Sequence, residues 1–352
     1  MPMSKRSEEE VKQDCALATM LWGKMFSGLT AVTYGEKGAD ALHRLWFLFL
    51  TTHQGEKYHE GLRKLGIEND PPAVAAAKYH YFTNIIGGLA MEYVEESPRK
   101  VWIRYLTPMW MYGGVAVMAM PSDLRRHVFS SWHPRNGLYM GCPRLGYVGT
   151  KFSSEGDPCD EGYFYEYDHD LNPSQIMRFE VAHKTPEFDP AKAPRLDPEL
   201  WPEMRILKAR RNFSSGYFRV TLDVLDGMYG ELVTNHIIMR TMRFMGIQFT
   251  PELQKLAGIE GKSAADVAQL FARIARAQEQ DFTIEKADAK TTRMTIRSVR
   301  PLVGISEDRR RSLFEFQKMM ARMINGRLRV TRSRVKDEVE VWEITDTGEW
   351  QW

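Results

Sequence analysis

With 352 residues, 43% of them hydrophobic and 11% aromatic, the chain can bury one large core or two of ordinary size, and its composition excludes a disordered or fibrous polymer. Forty-eight basic against 46 acidic residues leave a charge of +2, too small for a global field that would hold nucleic acid or an anionic membrane. Three scattered cysteines, Cys15, Cys142 and Cys159, exclude a disulfide framework, and the polar opening MPMSKRSEEEVKQD lacks the apolar core of a signal peptide, so a reducing cytoplasm is expected.

In chain order, the apolar run at residues 45–50 (LWFLFL) suits a buried helix, and the alanine-rich residues 73–90 predict another. Residues 91–106 form two short alternating runs about a polar turn, the signature of a hairpin. The longest uncharged stretch, residues 105–122, is shorter than the roughly 20 apolar residues of a membrane helix. Pro108, Gly113, Gly114 and Pro121 interrupt it, so a buried strand or packed loop is expected rather than membrane contact. At residues 162–167 the tyrosines 163, 165 and 167 alternate with Phe164 and Glu166, and period two means a strand. Then Pro186, Pro190, Pro194, Pro198 and Pro202 fall every fourth residue. No helix runs through that spacing, which predicts an extended connector between two globular parts.

Beyond the prolines the pattern repeats. LRKLGIE at residues 62–68 is echoed by LQKLAGIE at 253–260, each followed by an alanine-rich stretch and a hairpin pattern. Arg125-Arg126-His127-Val128-Phe129 is echoed by Arg310-Arg311-Ser312-Leu313-Phe314, and a last hairpin follows in each case. The expected class is therefore α+β in two related copies, each with helices packed on a small antiparallel sheet: residues 1–170, a proline-rich linker at 171–204, and a diverged second copy at 205–352.

The common local motifs of serine hydrolases, P-loop enzymes, dinucleotide-binding folds and zinc proteases are absent, and no cofactor is expected. Eight of nine histidines fall in the first copy or the linker, so chemistry that titrates near neutral pH is expected there. The spacings His53-x5-His59 and His127-x5-His133 miss the i, i+4 pair of a helical metal site, and the run Glu166, Asp168, Asp170 reads as a solvated strand end, so no metal is expected. Cys159, in Gly156-Asp157-Pro158-Cys159-Asp160, and Cys142, after Gly141, occupy turn-like positions that leave a thiol partly exposed. A nucleophilic thiolate needs a neighbouring cation, which His133, Lys151 or His169 could supply; Asp157 and Asp160 act in the opposite direction, and a structural thiol stays an equal alternative.

The stretch GTKFSSEGDPCD at residues 149–160, followed by the aromatic strand at 163–167, resembles the L-2-amino-thiazoline-4-carboxylic acid hydrolase-like family. The resemblance covers mainly residues 10–170 and departs by two inserted residues after Cys159-Asp160 and by a second copy without the cysteine. It implies an α+β protein hydrolysing a ring C–N bond, with Cys159 the position carried over and Asp157 its neighbour; from the residues themselves, a histidine such as His133 or His169 is the expected assistant.

Aromatic residues crowd the first copy, and Trp22, Trp46, Tyr79, Trp110 and Trp132 are the expected lining of a cleft for a planar ligand. In the second copy a basic run from Arg309 to Lys336 is followed by Asp337, Glu338, Glu340, Glu343 and Asp346, which would neutralise it across the strands, so nucleic acid is not expected as a partner. The expected function is an enzyme cleaving a small aromatic or heterocyclic compound, the alternative a non-catalytic sensor for such a ligand. Self-association stays open.

Overall fold

The computed structural model describes residues 6–55, 57–108, 119–298, 301–336 and 338–351. They form two compact units: an N-terminal unit of residues 33–213, and a C-terminal unit in which residues up to 32 join residues 214–352. This division differs from the boundaries at 170 and 204 expected from sequence, and packing supplies the reason at both ends.

The first helix, α1 (Glu8–Lys37), starts at a capping pair in which Ser7 and Glu10 bond each other's backbone amides. Its inward face carries Trp22, with its ring 5.0 Å from that of Phe218, and Gly28, where a Cβ would meet the Thr241 side chain at 2.9 Å. Asp14, buried in the same helix, is bonded by Arg273. These partners all belong to the C-terminal part, and local sequence patterning carries no trace of them. Among the described residues α1 is the one helix long and apolar enough to cross a bilayer, and 61% of its apolar window is buried in the fold, as in a core helix.

The N-terminal unit continues with α2 (Ala39–Gly55), α3 (Tyr58–Leu65) and α4 (Pro72–Gly87), then the hairpin β1 (Met91–Ser97) and β2 (Lys100–Leu106). Helices α5 (Leu124–Trp132) and α6 (Arg135–Met140) precede β3 (Leu145–Lys151), β4 (Cys159–Glu166) and a short β5 (Met177–Phe179). The sheet order is β1-β2-β4-β3-β5, antiparallel except that β5 lies parallel to β3. Residues 180–202 contain no helix, yet they belong to this unit. Tyr163 donates its hydroxyl to Glu180 at 2.7 Å and Arg104 donates to the Pro186 carbonyl at 2.5 Å, so the proline-rich segment is sewn onto the sheet.

The C-terminal unit takes in most of α7 (Glu203–Ala257), which is broken at Gly230, where φ is +75° and glycine alone is unstrained. There follow α8 (Ala264–Ala277), β6 (Asp281–Lys286), β7 (Thr291–Arg297), α9 (Glu307–Leu313), α10 (Glu315–Ile324), β8 (Leu328–Lys336) and β9 (Val339–Asp346). Its antiparallel sheet has the order β6-β7-β9-β8, the same order as the first four strands of the other sheet. Helix α8 covers β6, β7 and β9 as α4 covers β1, β2 and β4. The fold is α+β, as the sequence predicts.

A buried ion pair locks each helix layer to its sheet. In the N-terminal unit Arg125 Nε of α5 lies 2.7 Å from Asp160 Oδ2 of β4, and Asp160 is fully buried. Removing the carboxylate strands a buried guanidinium, so Asp160→Ala is expected to lose about 3–5 kcal/mol of stability, measured by urea unfolding. A loss below about 1 kcal/mol would show that the pair is not holding the layers.

Candidate functional site

Cys159 is the first residue of β4 and lies opposite Leu106 of β2. It is buried, as are Cys142 and Cys15, so the partly exposed thiols expected at turn positions are not found: the strand begins at the cysteine itself. Alternation along β4 sets Cys159 and Glu161 on one face of the sheet and Asp160 on the other. Tyr105, directly across from Asp160, bonds His133 Nε2 at 2.9 Å. Cys159 and His133 are therefore directed to opposite faces, and the fold does not bring them together. His169 is exposed beside the Tyr167 ring, and Asp157 accepts the Phe152 backbone amide at 2.8 Å to close the β3–β4 turn.

The thiol's charged neighbours are Glu161, Lys151, Arg104 and Asp160. Burial, and after it the Glu161 charge, push Cys159 up to about 11, the reverse of what a thiolate nucleophile requires. At pH 8 only about one thiol in a thousand is then ionised. Native Cys159 is expected to react with a disulfide reagent at least a hundredfold more slowly than the same thiol in the urea-unfolded chain, read in a Cys15→Ala, Cys142→Ala background. Comparable rates would show an activated, accessible sulfur.

His133 belongs instead to a closed chain of hydrogen bonds on the helix side of the sheet. Tyr58 donates to Asn136 Oδ1 at 2.6 Å, and the Asn136 amide faces His80 Nε2 at 3.1 Å. His80 Nδ1 lies 2.9 Å from the Tyr105 hydroxyl, which reaches His133 Nε2, and His133 Nδ1 faces the Phe129 carbonyl. One assignment satisfies every partner: His80 donates from Nδ1 to Tyr105, Tyr105 donates to His133, and both imidazoles are neutral. The two rings stack at 4.2 Å, and Phe129 stacks on His133 at 4.3 Å. Behind them Gly162 makes room for the Tyr147 ring, whose hydroxyl would lie 2.3 Å from an added Cβ. His80, 53 residues from its partner His133, is the member that sequence reasoning missed; no local spacing joins them.

Burial drives His80 down to about 3 and His133 well below its usual value. The unfolded chain binds protons near pH 6.5 that the native state refuses. Stability from this pair is therefore complete above about pH 6.5 and is lost as pH falls toward 3. Urea unfolding midpoints are expected to fall already between pH 7 and 5, above the carboxylate range. A flat profile there would contradict the neutral pair.

Of the aromatic residues expected to line a cleft, Trp46, Tyr79 and Trp132 are buried core side chains of the N-terminal unit, and Trp110 lies outside the described residues. Trp22 lines a cleft, and that cleft belongs to the C-terminal unit. It is a half-open pocket with a cavity volume of about 60 Å³. Its apolar walls include Trp22, Phe218, Phe314 and Trp342, and its polar wall carries Gln278, Gln280, Ser298, Gln317, Arg310 and Arg332.

The floor of the cleft is a compensated charge cluster. Arg310 of α9 bonds Ser298 at 2.7 Å, Glu340 at 2.9 Å and Glu338. Arg332 of β8 forks onto Glu307 at 2.7 and 3.1 Å and reaches Glu340 at 2.9 Å, and Trp342 Nε1 donates to the same carboxylate at 2.9 Å. Burial works to raise Glu340, but these donors outweigh it and hold the carboxyl below its usual range, so it is anionic. Two guanidiniums and three carboxylates balance to within one charge. Gln317 Oε1, by contrast, is buried without a hydrogen-bond partner among the described residues.

Comparison of the chain with known protein families, with curated proteins and with solved structures finds no match.

Proposed function

We propose that the protein is a binding module for a small, neutral, planar compound bearing an amide or similar hydrogen-bonding edge, held in the cleft of the C-terminal unit. The observation that carries this reading is the buried, unpartnered Gln317 oxygen in a wall of glutamines and aromatic rings. A buried acceptor left unbonded costs free energy, and a turn of the Gln317 side chain toward the cleft would let a ligand N–H recover it. Glutamines also donate, which matches an amide edge, while Trp22, Phe218, Phe314 and Trp342 offer faces for a ring. Both guanidiniums are already bonded to carboxylates, so the cleft favours a neutral ligand over an anion.

The hydrolytic reading rests on the GTKFSSEGDPCD stretch, and its nucleophile lies in the other unit with a raised thiol. The binding reading therefore comes first. We also read the two units as copies of one duplicated α+β element: the shared strand order and the two pairs Arg125–Asp160 and Arg310–Glu340 support it. A cytoplasmic setting suits three cysteines that stay unpaired.

The test is titration with benzamide, nicotinamide and indole-3-acetamide, followed by tryptophan fluorescence, with benzoate and nicotinate as anionic controls. Saturable binding of at least one amide is expected, with the response lost in Trp342→Phe. Gln317→Leu should weaken it about fivefold, the worth of one hydrogen bond. If no amide binds, or if Gln317→Leu and Trp342→Phe leave binding unchanged, the cleft is not the site.

A further inference from the structure

A second chemical grouping lies on the surface of the N-terminal unit, away from the Cys159 face and the histidine chain. His43, in the second turn of α2, and Asp123 and His127, at the start of α5, offer three ligand atoms that all lie within 4.8 Å of one another. We propose that these residues bind a divalent transition-metal ion of the zinc class.

The spacing follows from the helix. Asp123 is the residue before α5 and His127 stands one turn later, so the two side chains share one face. His43 reaches them from α2, which packs along α5. His43 Nε2 is 3.1 Å from Asp123 Oδ1, and His127 Nδ1 is 3.7 Å from Asp123 Oδ2. Ligands about 2.0–2.1 Å from a tetrahedral ion stand roughly 3.3–3.5 Å from each other, and the two separations fall to either side of that range, one shorter and one longer, so small side-chain turns bring them to it. Two imidazoles and one carboxylate are the donor set of borderline ions, and three protein ligands leave one position to water.

A second observation points the same way. An aspartate preceding a helix ordinarily accepts an amide of the first turn, an interaction of about 1 kcal/mol. Asp123 makes no such cap; its carboxylate bonds His43 and lies 3.7 Å from His127 Nδ1, which faces the Asp123 carbonyl at 3.2 Å. The rings themselves are stacked, with centroids 3.6 Å apart and planes 7° from parallel. An ion lies in the plane of each imidazole that holds it, so binding requires one ring to turn about χ2. His127, with its side chain 47% exposed, has the room.

The experiment is calorimetric titration of the chelator-stripped full chain with Zn²⁺, repeated with Co²⁺ to read the visible ligand-field bands of a low-coordinate site. One equivalent is expected to bind, with bands typical of nitrogen and oxygen ligands. His43→Gln, Asp123→Asn and His127→Gln should each weaken it at least tenfold, and the double variant His43→Gln, His127→Gln should abolish that equivalent. Asp123 and His127 are about half exposed, so their metal-free variants should melt within a few degrees of the wild type, and Zn²⁺ should raise the melting temperature of the wild type alone. His59→Gln, at another surface of the same unit, serves as the control and should bind normally. If the double variant retains the equivalent, if the cobalt spectrum shows thiolate charge transfer, or if no ion binds at 100-fold excess over protein, the site is an imidazole–carboxylate ion pair and nothing more.

Discussion

In each unit a buried guanidinium from the helix that follows the hairpin reaches the inner strand of the sheet, Arg125 to Asp160 and Arg310 to Glu340. Strands β4 and β9 are inner strands with a neighbour on either side, so both carboxylates are carried by the interior of their sheets. A charge so placed specifies register. A slip of one residue would turn the carboxylate to the other face and leave an arginine buried alone, a penalty much larger than the loss of one apolar contact. Layer packing, strand register and the position of everything opposite those carboxylates follow from that constraint.

What stands opposite them differs between the two units. Across from Asp160 is Tyr105, and four residues further along the same strand Phe164 faces Tyr147. Across from Glu340 is Ile296, and four residues further Ile344 faces Val330. Three aromatic rings in one unit correspond to three aliphatic side chains in the other. In the N-terminal unit the rings, together with Trp132, His80 and His133, fill the space between helices and sheet and need an ordered chain of hydrogen bonds to satisfy their polar atoms. In the C-terminal unit Ile296 borders the cleft together with Gln317, Trp342 and Trp22.

The sequence carried what is local. Period two located the hairpins at residues 91–106 and 280–299, proline spacing excluded a helix at 186–202, and the echo of RRHVF by RRSLF marked the two buried arginines without revealing their partners. What it could not carry is lateral. That α1 packs with a part of the chain about 200 residues on is decided by Trp22 against Phe218 and Gly28 against Thr241, contacts with no periodic signature. Cys159 reads as a turn residue because Gly156 and Pro158 precede it; the strand that starts at the cysteine buries the thiol. The i, i+4 pair sought among histidines exists as Asp123 and His127, and its third member, His43, is 80 residues away.

These placements divide the chemistry of the chain by accessibility. Histidines that the sequence offers as bases fall into two environments. His80 and His133 are sealed between layers, where desolvation keeps them neutral and their hydrogen bonds are used up in organising the core. His43, partly buried, and His127, exposed, lie beside one carboxylate, that of Asp123. A group does proton or ligand chemistry only where a reactant can reach it, so the buried pair acts through stability and the second pair through binding. By the same reasoning the thiol of Cys159, screened by the sheet and held protonated by burial and Glu161, is a packing residue whose polarizable sulfur fills the sheet edge beside Leu106. The cleft of the other unit differs from both. It combines an open mouth with a polar floor whose charges are already balanced, so a ligand entering it needs to bring hydrogen bonds and a flat apolar face rather than charge.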